Sequence, residues 1–290
     1  MAPRVVVATD SSACLPLELA EQWGVLIAPL QVIVDEQAFD EGSGISPQAV
    51  VDALVAGHTV GTSQPGPAVL LRMVEEAKAL GADHVVFVAL SGEMSGTGQA
   101  MEAAASHACL PVTVVDSRTV SLAAGLSALS AAAVARDGGT PAEVAEEARR
   151  AAESSTCLFT VDTLEYLRRG GRVSDTMAAL GDALGVKPVL GVIDGRVDQV
   201  ERVRTSGRAR LAVLNRIAGK AASHARPVIG LMTLAGDDEM GDEARGVVGS
   251  LGDWPVIRAT LSAVLAAHGG PGTLAVAVVD VHADVAATLA

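Results

Sequence analysis

Aromatic residues are almost missing from this chain. Two Trp, one Tyr and three Phe among 290 residues leave few flat rings on which nucleobases could stack. Positive charge is short as well. Lys and Arg number 21 against 34 Asp and Glu, for a net charge of −13, so the basic footprint of a nucleic-acid binder is not there. Cysteine is sparse: Cys14, Cys109 and Cys157 are odd in number, far apart and in no Cys-x-x-Cys pair. That excludes a disulfide framework or a zinc ribbon and fits a reducing cytoplasm. Long uncharged runs are few. Residues 119–135 lie between Arg118 and Arg136, contain Gly125 and several serines, and fall short of the ~20 apolar residues of a membrane span. Residues 259–279 are broken by His268-Gly269-Gly270-Pro271-Gly272. The apolar run at 5–8 ends before Asp10, too short for a signal peptide. The expectation is a cytoplasmic protein with no stable membrane insertion and no nucleic-acid partner.

What is present is aliphatic. Hydrophobic residues make up 50% of the chain, which excludes a disordered protein. They are mainly Ala, Val and Leu, so a ligand cavity should be aliphatic and lined by small side chains. Apolar runs at 4–9, 25–34, 84–90 and 112–115 read as strands. Helical segments at 16–23, 67–80, 96–107 and 120–135 alternate with them, and Ser46-Pro47 and the capping box Thr140-Pro141-Ala142-Glu143 open two more. Such alternation predicts βαβ units and a mostly parallel sheet. The second half reads as an α/β lobe with a mixed sheet: strands at 155–161, 227–234, 255–260 and 273–281, helices at 164–169, 208–222 and 238–251, and a hairpin joining 189–193 to 197–203 through Asp194-Gly195. The fold class is therefore α/β in two lobes, 1–154 and 155–290.

The polar residues concentrate at turns. Asp10-Ser11-Ser12, Thr62-Ser63, Ser91 to Thr97 and Asp116-Ser117 are expected beyond the carboxyl ends of strands, where such sheets bind ligands. The stretch Leu90-Ser91-Gly92-Glu93-Met94-Ser95-Gly96-Thr97 joins a strand to a helix. The free N–H groups and positive dipole end of that helix, with the Ser95 and Thr97 hydroxyls, favour an anion. None of the four turns contains Lys or Arg, so a carboxylate suits them better than a dianionic phosphate. Other chemistries fit poorly. Neither Ser95 nor Ser63 sits in Gly-x-Ser-x-Gly, and no Gly-rich phosphate loop with its Lys is present. Asp280, His282 and Asp284 alternate as metal ligands could, but read better as a solvated strand end. Taken alone, His268 in its Gly-rich loop and Arg172 read as ordinary polar surface residues. No catalytic residue, metal site or cofactor is expected.

Several stretches occur together in order: Thr62-Ser63-Gln64-Pro65, Leu90-Ser91 through Ser95-Gly96-Thr97, Val115-Asp116-Ser117, Leu164-Glu165-Tyr166-Leu167-Arg168-Arg169-Gly170-Gly171-Arg172, Lys187-Pro188 and His268-Gly269-Gly270-Pro271-Gly272. This ordered set, spanning nearly the whole chain, resembles the DegV family of bacterial fatty-acid-binding proteins. The resemblance implies a lipid-binding carrier, not an enzyme. It would enclose one long-chain fatty acid, with Thr62 and Ser95 holding the carboxylate and Arg172 and His268 completing the headgroup network or facing a partner. That partner would be a separate fatty acid kinase subunit, which converts the bound acid to an acyl phosphate for phospholipid metabolism. Tail burial would dominate affinity, since roughly fifteen methylenes at about 0.8 kcal/mol each offer on the order of 12 kcal/mol before ordering costs. The Ala-rich segment 120–135 is expected to line the tail tunnel. Two other readings stay open: a stand-alone α/β enzyme for a small carboxylated or phosphorylated substrate, and a regulatory lipid-binding protein.

Overall fold

The structure is a computed structural model that describes residues 3–174, 186–234 and 236–290. In chain order its elements are β1 (Val5–Asp10), a 3-10 turn (Ser11–Ala13), α1 (Leu17–Trp23), β2 (Leu26–Ala28), β3 (Gln31–Val34), β4 (Gln37–Asp40), α2 (Pro47–Ala56), β5 (Val60–Ser63), α3 (Pro67–Ala79), β6 (His84–Ala89), α4 (Thr97–Ala105), β7 (Val112–Asp116), α5 (Leu122–Arg136) and α6 (Pro141–Ser154). These are followed by β8 (Thr156–Thr160), α7 (Glu165–Arg169), β9 (Lys187–Ile193), β10 (Arg196–Val203), α8 (Ser206–Ala221), β11 (Pro227–Thr233), α9 (Asp238–Leu251), β12 (Val256–Thr260), α10 (Ala263–Gly269), β13 (Leu274–Asp280) and α11 (Ala283–Leu289).

The fold is α/β, with a parallel sheet in the order β2-β1-β6-β7 and a mixed sheet in the order β10-β9-β8-β13-β11-β12. In the mixed sheet only β11 and β12 run parallel. Burial explains the composition of the strands. All six residues of β1 are buried, as are Val85 to Ala89 of β6, because helices cover both faces of a parallel sheet and leave no polar side. A third, antiparallel sheet in the order β4-β3-β5 departs from the sequence expectation. The run at 25–34 is split at Pro29, so that β2 joins one sheet and β3 another. Proline lacks the N–H of a ladder and fixes φ, which suits a strand-to-strand bend.

Helix α5 lies between the two large sheets, packing on β1, β6, β11 and β13 as well as on α6. Every residue from Leu122 to Ala133 is buried. A helix hydrophobic all round belongs in a core, and its alanines let both sheets approach closely. At Gly125 an added Cβ would lie 2.7 Å from the Ala13 carbonyl oxygen. The capping box is formed: the Thr140 side chain accepts from the Glu143 N–H while Glu143 accepts from the Thr140 N–H. The hairpin joins β9 to β10 through Asp194 and Gly195, both at positive φ, 49° and 84°, as a two-residue turn of this hand requires. Among the described residues, no helix is long and apolar enough to cross a membrane.

Candidate functional site

The candidate site is built where the ends of several elements converge. At the carboxyl end of β1, Asp10 turns its carboxylate inward. Its Oδ1 accepts from the Ser12 N–H (3.1 Å) and hydroxyl (2.5 Å), and its Oδ2 accepts from the Leu90 N–H (2.8 Å). This ties the start of the loop at 91–97 to β1. The loop is held further on. The Ser91 N–H donates to the Thr119 carbonyl, the Ser91 hydroxyl to the Gly195 carbonyl at the hairpin tip (2.7 Å), and the Gly92 N–H to Asp116 Oδ1 (3.1 Å). Glu93, the one acid of the loop, turns outward and accepts from Arg196 Nε at 2.8 Å. Arg118, just beyond the Asp116-Ser117 turn, donates instead to the Asp194 carbonyl.

Thr62, Ser95, Arg172 and His268 line one cavity of about 290 Å³, near the lower bound for small-molecule pockets. Thr62 does not sit in a turn as the sequence suggested. It lies on β5, opposite Val32 of β3, so the small antiparallel sheet, and not the parallel one, delivers it. His268 likewise lies in the last turn of α10 and not in an open loop. Its Nε2 is 2.9 Å from the Thr62 hydroxyl, a contact joining positions 206 residues apart. Ser95 shares its hydroxyl with Thr97 at 2.9 Å. Arg172 Nη2 donates to the Met94 carbonyl at 2.9 Å, which brings its half-buried guanidinium against the Ser95 loop. Burial shifts the Arg172 pKa downward. The other walls are apolar: Leu30, Leu90, Val120, Phe159, Leu261 and Val264 are among them. They are mostly branched aliphatic, with the Phe159 ring and the small Ala275 among them. From the Ala-rich segment only Val120 and Ser121 reach the cavity among the described residues, because α5 spends its small side chains on close packing.

Burial, and secondly the charge of Arg172, push the His268 pKa down to about 4. The imidazole is therefore neutral at pH 7, with one N–H to place. Nδ1 is buried without a hydrogen-bond partner among the described residues. A stranded N–H is costlier than a stranded lone pair in practice, so we assign the proton to Nε2. Nε2–H then donates to the Thr62 oxygen and leaves the Thr62 hydroxyl hydrogen available to a ligand. The same shift has a thermodynamic consequence. The unfolded chain binds a proton near pH 6.5, the folded one only near 4. Stability contributed by neutral His268 is complete above pH 6.5 and lost as pH falls toward 4, by about 3 kcal/mol. In His268→Asn that loss should be missing from denaturant titrations run between pH 4 and 7; an identical slope in variant and wild type would contradict the buried, neutral imidazole.

A family model described as "Uncharacterised protein, DegV family" matches residues 4–281. The chain belongs to the DegV family. It is 39% identical over 281 residues to a DegV domain-containing protein of Streptomyces coelicolor, covering 96% of this chain and 99% of that one. A DegV family protein from Thermus thermophilus, a fatty-acid binder, superposes with a TM-score of 0.85 at 32% identity, covering 95% of this chain and 99% of that one. DegV from Bacillus subtilis, a fatty acid binding protein, does so with a TM-score of 0.86 at 26% identity over 96% and 99%. In this DegV chain, sequence reasoning named the four polar residues but missed what holds them. Met94 contributes its carbonyl and Gln64 packs against Gly96. Glu41 accepts from the Ser11 hydroxyl and, at 3.0 Å, from the Val264 N–H in the first turn of α10. Such supports act through backbone atoms or across sheets, and no spacing in the sequence announces them.

Proposed function

We propose that this DegV-family protein binds one long-chain fatty acid, with its carboxylate at Thr62 and Ser95 and its tail among the aliphatic walls. The observation that carries the reading is the mixed lining of one cavity: the Thr62 and Ser95 hydroxyls, the Arg172 guanidinium and the neutral His268 imidazole, linked through the Thr62–His268 and Arg172–Met94 contacts, share it with Leu, Val and Phe side chains. A carboxylate needs hydroxyl donors and a cation nearby, and Thr62, Ser95 and Arg172 supply them. In this reading residues 1–154 provide the hydroxyl-bearing loops and residues 155–290 close over the ligand. The ligand is cargo, no cofactor takes part, and the site is cytoplasmic. The family resemblance supports the final step. A separate fatty acid kinase would transfer the terminal phosphoryl group of ATP to a carboxylate oxygen, giving an acyl phosphate and ADP, with Arg172 and His268 beside the reacting end.

Native mass spectrometry of the purified protein should show a bound fatty acid, and added palmitate should bind one per chain. Thr62→Ala and Ser95→Ala should each weaken palmitate binding by roughly five- to tenfold while leaving the fold intact, the net worth of one hydrogen bond exchanged with water. A protein that takes up no palmitate, or variants that retain full affinity for it while losing affinity for a short carboxylate, would overturn the assignment. Acyl phosphate formation from palmitate and ATP should require both this protein and the kinase. Formation by either alone would refute the carrier role.

A further inference from the structure

Three glycines of the two Gly-rich segments lie against side chains of the opposite segment. A Cβ added at Gly170 would run into the His268 ring, one at Gly270 into the Tyr166 ring, and one at Gly272 into the Asp162 carboxylate. Two of the three need glycine for their backbone as well: Gly270 and Gly272 have φ of 71° and 73°, a region costly for other residues. Gly170 is different. It caps α7 at φ −72° and ψ −9°, an ordinary right-handed helical conformation open to any residue. At such a position alanine is favoured over glycine, both by helix propensity and by its smaller entropy in the unfolded chain. The other close neighbour of the added Cβ is the Tyr166 carbonyl oxygen at 3.3 Å, a tight contact that a small adjustment relieves. What stands against a side chain at 170 is the imidazole of His268, whose Nδ1 faces the bare Cα.

We infer that Gly170 is a positioning residue: its missing side chain makes the slot in which the His268 ring stands, and so sets the Nε2–Thr62 hydrogen bond. Gly170 also belongs to the segment that carries Arg172, whose guanidinium donates back to the Gly170 carbonyl. One residue therefore touches two members of the headgroup network, His268 through its Cα and Arg172 through its carbonyl. A methyl group at 170 pushes the ring off Thr62 and out of its enclosure while leaving the α7 backbone free to keep its course. The functional consequence rests on the proposed carboxylate site. The geometric one does not.

The test is a double-mutant cycle of Gly170→Ala and His268→Ala. In the ligand-free protein, NMR titration of the His268 imidazole should move from near pH 4 in wild type toward 6.5 in Gly170→Ala. Palmitate affinity in that variant should fall about tenfold, as for one lost hydrogen bond. In the His268→Ala background the same Gly170→Ala change should alter palmitate affinity less than twofold, and it should raise the melting temperature by about 1–3 °C, since only the favourable alanine effects remain. If the single variant does not fold while the double variant does, the clash is with His268 and the inference holds. If neither folds, or the affinity loss persists in full without His268, or His268 titrates unchanged in Gly170→Ala, the inference fails. An altered His268 titration with no palmitate bound by wild type would keep the positioning role and remove the fatty-acid reading.

Discussion

Ala275→Phe should remove most of the affinity for a long-chain acid without unfolding the protein. Ala275 lies on β13, directly opposite Phe159 of β8, and both line the cavity of about 290 Å³. A void of about 150 Å³ is enough to hold a benzene ring, so a phenyl group there occupies roughly half of the space. The tail then has no room for about seven of its methylenes. At about 0.8 kcal/mol each this costs roughly 5–6 kcal/mol, about four orders of magnitude in dissociation constant. The headgroup variants cost about one order at most, because hydroxyl contacts exchange with water. The ligand-free variant should melt within a few degrees of wild type, since the new ring fills a hollow and displaces no packed side chain. Palmitate titration by calorimetry, with a thermal melt of the same sample, checks both halves. Undiminished palmitate binding in a folded Ala275→Phe protein would place the tail elsewhere.

Asp10→Ala should cost about 3 kcal/mol or more of stability at pH 7. The carboxylate satisfies three donors, the Ser12 N–H, the Ser12 hydroxyl and the Leu90 N–H. Alanine strands all three in a buried site, at about 1–3 kcal/mol each, partly offset by releasing a buried charge. That charge is expensive: burial raises the Asp10 pKa from 3.8 to about 6, against the lowering effect of its own hydrogen bonds. The folded state thus holds its proton more tightly than the unfolded chain does. Asp10 favours folding most below pH 4, and that contribution is lost as pH rises through 6, by about 3 kcal/mol. The cost of Asp10→Ala should therefore be larger at pH 5 than at pH 7. Since His268 changes stability in the opposite direction over nearly the same range, wild type should respond less to pH there than either variant. Denaturant titrations at pH 5 and 7 decide it; a cost below 1 kcal/mol, or one that grows with pH, would contradict this account. The Leu90 N–H bond also fixes the start of the Ser95 loop, so palmitate affinity should drop in the variant that remains folded.

Elements specified by local chemistry were legible. Asp194-Gly195 announced its hairpin because few other dipeptides accept two positive φ values in succession, and Thr140-Pro141-Ala142-Glu143 announced a helix start through a bond pattern four residues long. The apolar runs of β1 and β6 were plain because a strand covered on both faces has no polar alternation to confuse the reading. Sheet membership was not legible. Nothing in the run at 25–34 says that its halves join different sheets, and Thr62 read as a turn residue because Gly61 and Ser63 are poor strand formers, although pairing with β3 outweighs that preference. The hydroxyls of Thr62 and Ser95 were visible as candidates, and Arg172 and His268 entered through family resemblance. Their mutual arrangement was not, since the Thr62–His268 bond closes over most of the chain. The role of α5 was misread for a physical reason: alanine marks close approach as readily as it marks empty space, and here two sheets press on it.

The strand order of the mixed sheet, β10-β9-β8-β13-β11-β12, sets the timing of assembly. Its second centre strand, β13, is encoded after every other strand, yet β8 and β11 both hydrogen-bond to it and not to each other. During synthesis the ribosome must deliver residue 280 before that sheet can zip together. Until then the cavity has no floor, since Ala275 lies on the missing strand and His268 is held just ahead of it. A nascent chain, or one clipped ahead of β13, therefore lacks one wall of the cavity, which is complete only after Leu274 to Asp280 have been made.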